Sequence, residues 1–269
     1  MAGRLTAERA GEWVRRWELQ QQRYATDREA RFTVITDVVE AATARRERPL
    51  VADLGCGPGS LAARLAARLP RAEVVAVDAD PLLLALGRAH HGDLVRFVDA
   101  TIGAPGWLES LGLTRAPDAV VSATALHYLP EPALLSVYEQ MAAALRPGGV
   151  LVNGDQLFQE DPAVAGFADE VARRHARRQG AHAQEDWDGW WSAAACAPEL
   201  SAPLAERRSR GPAPCGDNGL TLQRHVELLR KAGFEAAGPV WQYGPSCVLV
   251  AVRAEERPLS SRPGSHCSP

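Results

Sequence analysis

The sequence predicts an α/β fold with a doubly wound, mostly parallel seven-stranded sheet, helices on both faces and an antiparallel last strand. Residues 51–54 form a short buried-strand pattern that runs into a glycine-rich turn and then a helical stripe of leucines. Four further short apolar segments follow, with room for helices between them. Strands that alternate with helices in this way are typical of a parallel sheet covered on both faces. N-terminal helices and a helical lid insertion after the fifth strand complete the predicted fold.

The turn after the first strand predicts a ligand that resembles a nucleotide. Three glycines let the backbone turn tightly and approach a ligand closely: Gly55, Gly57 and Gly59. Their G-x-G-x-G spacing, with Asp53 before it, departs from the G-x-G-x-x-G pattern that binds dinucleotides through a pyrophosphate. A carboxylate at this position suits a cationic ligand group instead. A tight loop alone is the alternative reading of any one glycine.

Acidic residues stand at the ends of the next two predicted strands. The second strand, residues 72–78, ends at Asp78, and the third, residues 94–98, is followed by Asp99. Ligands of doubly wound sheets bind beyond the carboxyl ends of the strands. Asp78 can there accept hydrogen bonds from both hydroxyls of a ribose. Capping the next helix is the alternative, but Asp80 already suits that position.

Four features together resemble the class I S-adenosylmethionine (SAM)-dependent methyltransferases of the small-molecule type. They are Asp53-Leu54-Gly55-Cys56-Gly57-Pro58-Gly59, the acids Asp78 and Asp99, the pair Leu126-His127 after the fourth strand, and the turn Arg146-Pro147-Gly148-Gly149 before the fifth. The resemblance implies SAM as the cofactor and S-adenosylhomocysteine as the product, with Asp78 on the ribose and Asp99 on the adenine amino group. The implied cofactor contacts are Tyr24, Arg28, Asp53, Gly55, Cys56, Gly57, Gly59, Asp78, Ala79, Asp99, Ala100, Thr101 and Ser122.

Composition and charge exclude several classes of function. The chain has 269 residues, is 46% hydrophobic and 23% charged, and carries a formal net charge of -3. These values are ordinary for a globular protein and argue against a broad nucleic-acid surface. No apolar run approaches the length of a bilayer span and the first residues lack a signal-peptide core, so we expect a cytoplasmic protein without a membrane partner. The five cysteines are scattered without metal-binding spacing, so we expect no metal.

The chain divides into five predicted segments. They are an N-terminal helical cap (1–48), a SAM-binding Rossmann-like core (49–155), a helical substrate lid (156–218), a final helix with a closing β-hairpin (219–253) and a disordered tail (254–269).

The lid carries the predicted acceptor contacts. Three tryptophans fall within five residues, after a histidine: His182, Trp187, Trp190 and Trp191. Such rings can line a pocket for an apolar or aromatic acceptor, or they can pack the lid onto the core. Both readings stay open for each tryptophan at this stage.

Two residues are candidates for proton transfer to or from the acceptor. His127 follows the fourth strand, near the expected position of the transferred methyl group, and an imidazole titrates near neutral pH. Asp155 follows the fifth strand and is the second candidate. The alternatives are that His127 only shapes the pocket and that Asp155 orients the substrate or caps a helix.

The sequence as a whole predicts an enzyme that methylates an O or N atom of a small molecule, with specialised metabolism as one setting. A private lid suits an enclosed acceptor better than an exposed RNA or protein surface, so no nucleic-acid partner is expected, while a homodimer is compatible with the pattern. An RNA or protein methyltransferase, or a SAM-binding protein of the same fold that does not methylate, are the alternatives.

Overall fold

The computed structural model of the chain describes residues 4–25, 27–180, 185–211 and 216–255. The strands are β1 Leu50–Leu54, β2 Glu73–Asp78, β3 Arg96–Asp99, β4 Ala119–Ala123, β5 Val150–Gln156, β6 Ala236–Tyr243 and β7 Ser246–Val252. The α-helices are α1 Ala7–Tyr24, α2 Arg28–Thr43, α3 Ser60–Arg68, α4 Pro81–His91, α5 Trp107–Ser110, α6 Glu131–Ala144, α7 Pro162–Arg178, α8 Trp187–Ala195, α9 Ser201–Ser209 and α10 Leu222–Lys231. A 3-10 turn spans Leu126–Tyr128.

The described strands form one seven-stranded sheet in the order β3-β2-β1-β4-β5-β7-β6. Strands β1 to β5 are mutually parallel, whereas β7 runs antiparallel to both β5 and β6. The predicted fold class is therefore confirmed. The strand order reverses direction between β1 and β4, and such a switch point opens a crevice at the carboxyl ends of the strands.

Helices cover both faces of this sheet, because its central strands are apolar on both sides. Every residue of β1 is buried. On one face, Ile35 of α2 and Leu65 of α3 pack against the strands. On the other face, Tyr138 of α6 and Leu229 of α10 do the same. The buried β1 is thus held from both sides, which places its glycine turn rigidly at the crevice.

A third apolar cluster joins part of the lid to the N-terminal helices. Trp13 and Trp17 of α1 meet Trp190 of α8 edge to face, with ring centroids 5.7 and 5.0 Å apart. The side chains of Leu82 and Leu86 on α4 complete the cluster. Helix α7, by contrast, has no buried residue. The helices α8 and α9 are therefore fixed near α4, while α7 stands at the periphery.

The predicted tail lies almost wholly outside the described residues, which end at 255. Among the helices that the structure describes, none combines the length and the apolar character that crossing a bilayer requires.

Candidate active site

The glycine turn after β1 needs its glycines for two different reasons. All three have positive φ angles, which side chains disfavour: 71° at Gly55, 55° at Gly57 and 88° at Gly59. A Cβ at Gly55 would lie 2.2 Å from the Cβ of Ala125, and one at Gly59 would lie 2.6 Å from the ring of Phe97. At Gly57 the nearest atom would be 3.9 Å away. Gly55 and Gly59 thus allow close packing, and Gly57 keeps backbone open toward the crevice.

Asp78, at the end of β2, holds this turn in place. Its Oδ2 accepts the N–H of Gly57 at 2.7 Å, and its Oδ1 accepts the N–H of Asp80 at 2.9 Å. Burial raises the pKa of this carboxyl group, against the effect of these backbone donors. Each carboxylate oxygen can accept more than one hydrogen bond. Asp78 therefore retains the acceptor capacity that two ribose hydroxyls require.

Asp53 is the buried acid beneath the turn. It is 1% exposed, and its Oδ2 has no hydrogen-bond partner among the described residues. Burial, with a small addition from the charge of Asp78, raises its pKa to about 7 despite a hydrogen bond from the N–H of Ala62. A ligand cation would give this oxygen a partner and favour its ionised form. The ammonium group of SAM fits this requirement.

The acid at the end of β3 meets the lid. Asp99 accepts two hydrogen bonds from Arg210, which follows α9, at 2.7 and 2.6 Å. The same guanidinium donates to the carbonyl of Ala79 at 3.0 Å. Arg210 lowers the pKa of Asp99 through these bonds. Arg210, which the sequence did not single out, thus binds both of the predicted contacts Ala79 and Asp99.

The neighbouring predicted contacts lie at the same edge. The N–H of Ala100 donates to the carbonyl of Asp78 at 3.0 Å, which ties β3 to β2. Thr101 is exposed beside it. Both residues are therefore placed at the rim of the crevice.

Two predicted contacts turn their side chains into the protein instead. The hydroxyl of Ser122 is buried and donates to the carbonyl of Leu54 at 2.8 Å, linking β4 to β1. Cys56 is buried in the apolar core, and burial raises the pKa of its thiol. Both side chains have structural roles, and cofactor contact at these two positions stays a prediction.

The N-terminal candidates Tyr24 and Arg28 hold other parts of the structure together. The Tyr24 hydroxyl accepts the N–H of Trp187, the first residue of α8, at 3.1 Å. Arg28 forms an ion pair with Glu18 and stacks over the ring of Phe32 at 4.4 Å. Glu18 also pairs with Arg64 of α3, close to the glycine turn. Both side chains brace the cap, and their contact with the cofactor stays a prediction.

His127 and Asp155 form a hydrogen-bonded pair at the carboxyl ends of β4 and β5. The imidazole Nδ1 lies 2.9 Å from Oδ1 and 3.1 Å from Oδ2 of Asp155. The N–H of Gln156 also donates to Oδ1, which helps to orient the carboxylate. With Asp155 as the acceptor, Nδ1 carries the proton and the neutral ring keeps the lone pair of Nε2 available for a base. The two residues thus form a hydrogen-bonded histidine–aspartate dyad.

The surroundings tune the basicity of this imidazole. Burial alone would lower the pKa of His127, but the hydrogen bond and charge of Asp155, with the charge of Asp217, outweigh it and raise the pKa. The loop before it is held under strain, since Thr124 has a φ of 53°. After the lid, the N–H of Asn218 donates to the carbonyl of His127 at 2.9 Å.

A buried arginine behind the dyad was not predicted. Arg31 is 1% exposed, donates to the hydroxyl of Ser246 at 3.0 and 2.7 Å, and reaches the carbonyl of Gly154 at 3.3 Å. Its positive charge opposes protonation of His127. In the sequence Arg31 is one of several arginines on a helix, so no local signal distinguishes it. Its environment arises only from the packing of α2 on β5 and β7.

The predicted acceptor residues have different positions. Trp190 is fully buried between Trp13, Trp17 and Trp191, so its assignment to the acceptor is corrected to packing. Trp187 is 40% exposed and remains a candidate. Trp191 is partly buried against the ring of Trp17. His182 lies outside the described residues.

The sheet order, the glycine turn and the acids at the strand ends define a Rossmann-like domain with its ligand site at the switch point. Residues 51–149 match the family model described as a methyltransferase domain. A trans-aconitate 2-methyltransferase of Methylobacterium radiotolerans is 40% identical over 102 residues, which cover 38% of this chain and 36% of that protein. Another, from Methylobacterium nodulans, is 32% identical over 56% of this chain and 58% of that protein.

Among solved structures, an O-methyltransferase family protein from Burkholderia thailandensis aligns with a TM-score of 0.52 and 20% identity. The alignment covers 88% of this chain and 64% of that one, and it supports the fold. The two curated relatives, in contrast, match over about a third and somewhat more than half of their own lengths. Residues 51–149 thus match a methyltransferase domain, and SAM is the cofactor of the class I methyltransferases that this part of the chain resembles.

Proposed function

We propose that the protein transfers a methyl group from SAM to an O or N atom of a small molecule, with His127 as the general base. The observation that carries this proposal is the His127–Asp155 hydrogen bond of 2.9 Å at the switch-point edge of the sheet. That edge also holds the glycine turn and the acids that suit the cofactor. SAM supplies an electrophilic methyl group on a sulfonium.

The chain's own residues would then position the acceptor and remove its proton. Nε2 of His127 takes the proton of an acceptor hydroxyl as its oxygen attacks, or of an acceptor ammonium group before its nitrogen attacks, and Asp155 stabilises the imidazolium that forms. As the acceptor atom bonds to the methyl carbon, the bond from that carbon to sulfur would break, and S-adenosylhomocysteine would leave. Alignment of the acceptor and exclusion of water supply the remainder of the rate, which is a task for the lid.

The dyad favours a protonated acceptor over a carboxylate. The names of the two Methylobacterium relatives indicate methylation of an acid, and a carboxylate has no proton to lose near neutral pH. For such an acceptor His127 would serve as a hydrogen-bonding contact only. A small carboxylic acid is therefore the second candidate, and it is supported by the relatives and by the positive charge of Arg31 near the dyad.

Acceptor screening with methyl-labelled SAM tests this proposal. We expect the label in a small metabolite from an extract of the source cells, and label found only in RNA or protein would overturn the small-molecule assignment. His127→Gln should lower kcat by roughly a hundredfold or more with a hydroxyl or amine acceptor. His90→Gln, at an exposed position of α4, is the matched control.

Binding measurements separate catalysis from cofactor binding. His127→Gln should leave the Kd of SAM unchanged, because the imidazole lies with the acceptor. A variant that still methylates at the normal rate would remove His127 from the mechanism and support the carboxylate alternative. Specialised metabolism and a homodimer remain part of this proposal, to be examined with the acceptor in hand and by the mass of the protein in solution.

A further inference from the structure

Arg207 of α9 and Arg210, which follows this helix, form ion pairs near the carboxyl ends of β2 and β3. These two ion pairs are called the arginine grip below. Nε of Arg207 lies 2.6 Å from Oδ2 of Asp80, the N-cap of α4. Arg210 binds both carboxylate oxygens of Asp99 and the carbonyl of Ala79. Two lid arginines therefore span the opening between two neighbouring strand ends. This opening adjoins the switch point between β1 and β4, where a doubly wound sheet binds its ligand.

The charges explain why the lid binds here. Asp80 and Asp99 place two negative charges at the same edge, and both accept hydrogen bonds from an arginine of the lid. The forked guanidinium of Arg210 matches the carboxylate of Asp99 with two parallel bonds. About a third of each arginine side chain remains exposed, as does a third of Asp99. Ion pairs this exposed are weak individually, so the grip can open and close.

The grip is connected to the other parts of the lid. The guanidinium of Arg207 lies 4.0 Å from the ring centroid of Trp191, which in turn contacts Trp17 of the N-terminal cap. Farther along the chain, Asn218 donates to the carbonyls of His127 and Leu129. The segment that carries Arg207 and Arg210 thus contacts the N-terminal cap through Trp191. It is followed in the chain by Asn218, which binds the loop that carries His127.

We propose that Arg207 and Arg210 form a gate over the adenosine end of the cofactor site. The cofactor enters and leaves while the two ion pairs are broken, and the pairs close over it once it is bound. This inference rests on the proposed function, because it takes SAM as the ligand. A gate differs from an ordinary binding contact in its kinetics: opening it permanently accelerates both entry and release.

Stopped-flow fluorescence with SAM and S-adenosylhomocysteine tests the gate, using the intrinsic tryptophans as the signal. In the double variant Arg207→Ala/Arg210→Ala, the association and dissociation rate constants should both rise by about tenfold, with little change in Kd. Arg210→Gln alone should show a smaller rise in both. Arg208→Ala, at an exposed position on the same helix, is the control and should behave as the unaltered protein.

Ionic strength gives a second readout without any substitution. Salt screens exposed ion pairs, so raising it should accelerate association and release in the unaltered protein. The double variant should respond less, because its gate is already open. Circular dichroism and the Tm confirm that each variant is folded before its kinetics are interpreted.

The outcomes distinguish the gate from the proposed function. Faster release with unchanged association would make the arginines static contacts and overturn the gate, as would rates identical to those of Arg208→Ala. Slower association in the double variant would overturn it as well. If the unaltered protein binds neither SAM nor its product, the proposed function fails and the gate falls with it.

Discussion

At the scale of single residues, the most consequential contact joins two side chains that lie 28 positions apart. His127 follows β4, Asp155 is the residue before the last one of β5, and the pairing of Ala123 with Gly154 sets the two strand ends side by side. Parallel neighbours present their carboxyl ends at one edge, so residues distant in sequence meet there. The dyad is a direct consequence of that pairing.

Replacement of Asp155 by Asn should change the pH profile of the reaction. Asp155 raises the pKa of His127 against the effect of burial. Without its charge, burial and Arg31 lower that pKa, so the acid limb of kcat/KM should move to lower pH. Loss of the oriented imidazole should also reduce kcat by roughly a hundredfold or more. The measurement is kcat/KM between pH 5 and 9 with a hydroxyl or amine acceptor.

Asp217→Asn is the matched control for that experiment. Asp217 also raises the pKa of His127 but forms no hydrogen bond with the imidazole ring. The acid limb should therefore move slightly in the same direction while kcat stays near normal. An unshifted limb in Asp155→Asn would contradict the assignment of His127 as the base.

Buried Asp53 lowers the stability of the folded protein at neutral pH, and we expect bound SAM to restore that stability. Its pKa is about 7 when folded, well above its ordinary value, so ionisation at higher pH favours the unfolded chain. The cost therefore grows as the pH rises from about 4 and is complete above about 7. Asp53→Asn should raise the Tm of the cofactor-free protein by about 3 °C or more at pH 8, with little change near pH 4.

The same variant should bind SAM more weakly, since an amide does not pair with the ammonium group as a carboxylate does. Thermal unfolding at several pH values and calorimetry with SAM check the two effects together. An unchanged Tm of Asp53→Asn at pH 8 would show that burial of the ionised Asp53 carboxylate does not destabilise the protein.

At the scale of elements, the turn between β1 and α3 couples conformation to packing. Gly55 has positive φ and its Cα faces the Ala125 methyl group at a distance that admits no side chain. Gly106 also has positive φ, 77°, but an added Cβ would meet nothing within 4 Å. Substitution of Gly106 thus measures the cost of positive φ alone, and substitution of Gly55 measures that cost together with the cost of the steric clash.

Gly55→Ala should destabilise the protein by the left-handed penalty of about 1–2 kcal/mol and by a further ~1–3 kcal/mol of overpacking. Because the clash pushes on the loop that carries His127, SAM binding and kcat should both fall. Gly106→Ala should be destabilised only by the left-handed penalty of about 1–2 kcal/mol and should keep its activity. Chemical denaturation of both variants measures the difference, and equal losses would contradict the packing argument.

The tryptophan cluster between α1 and α8 fixes one end of the lid. Trp190→Ala removes a fully buried ring and should cost about 3–5 kcal/mol. Trp187→Ala, which removes a ring that is 40% exposed, should cost less and should affect the KM of an apolar acceptor instead. Denaturant unfolding and steady-state kinetics distinguish the roles, and a large stability loss in Trp187→Ala would reverse this assignment.

At the scale of the whole molecule, the cofactor should join the core, the cap and the lid into a more stable unit. We expect its site at the ends of β1, β2 and β3, with the lid above them. S-adenosylhomocysteine at about 100 times its Kd should add roughly 2.7 kcal/mol to the free energy of unfolding. Asp78→Ala should reduce this gain, because it removes the ribose acceptor and the support of Gly57. Unchanged affinity in that variant would refute the role of Asp78 at the ribose.

The sequence predicted the core in detail and the lid only in outline. Strand and helix periods are local, so the glycine turn, Asp78 and the capping role of Asp80 could be read directly. The burial of Ser122 and Trp190 could not be predicted, because serine and tryptophan are each as compatible with a pocket as with the protein interior. Their burial depends on which neighbours fold onto them.

By itself, the sequence determined the fold class and the cofactor class, and it predicted the strand ends at which we propose that the chemistry takes place. These follow from short motifs whose backbone requirements are local. Only the tertiary structure decided that Asp155 orients His127, that Arg31 lies buried behind them and that Arg210 reaches Asp99. Each of these contacts joins distant segments, and its energy depends on burial and on the distance between charges, which a linear pattern does not contain.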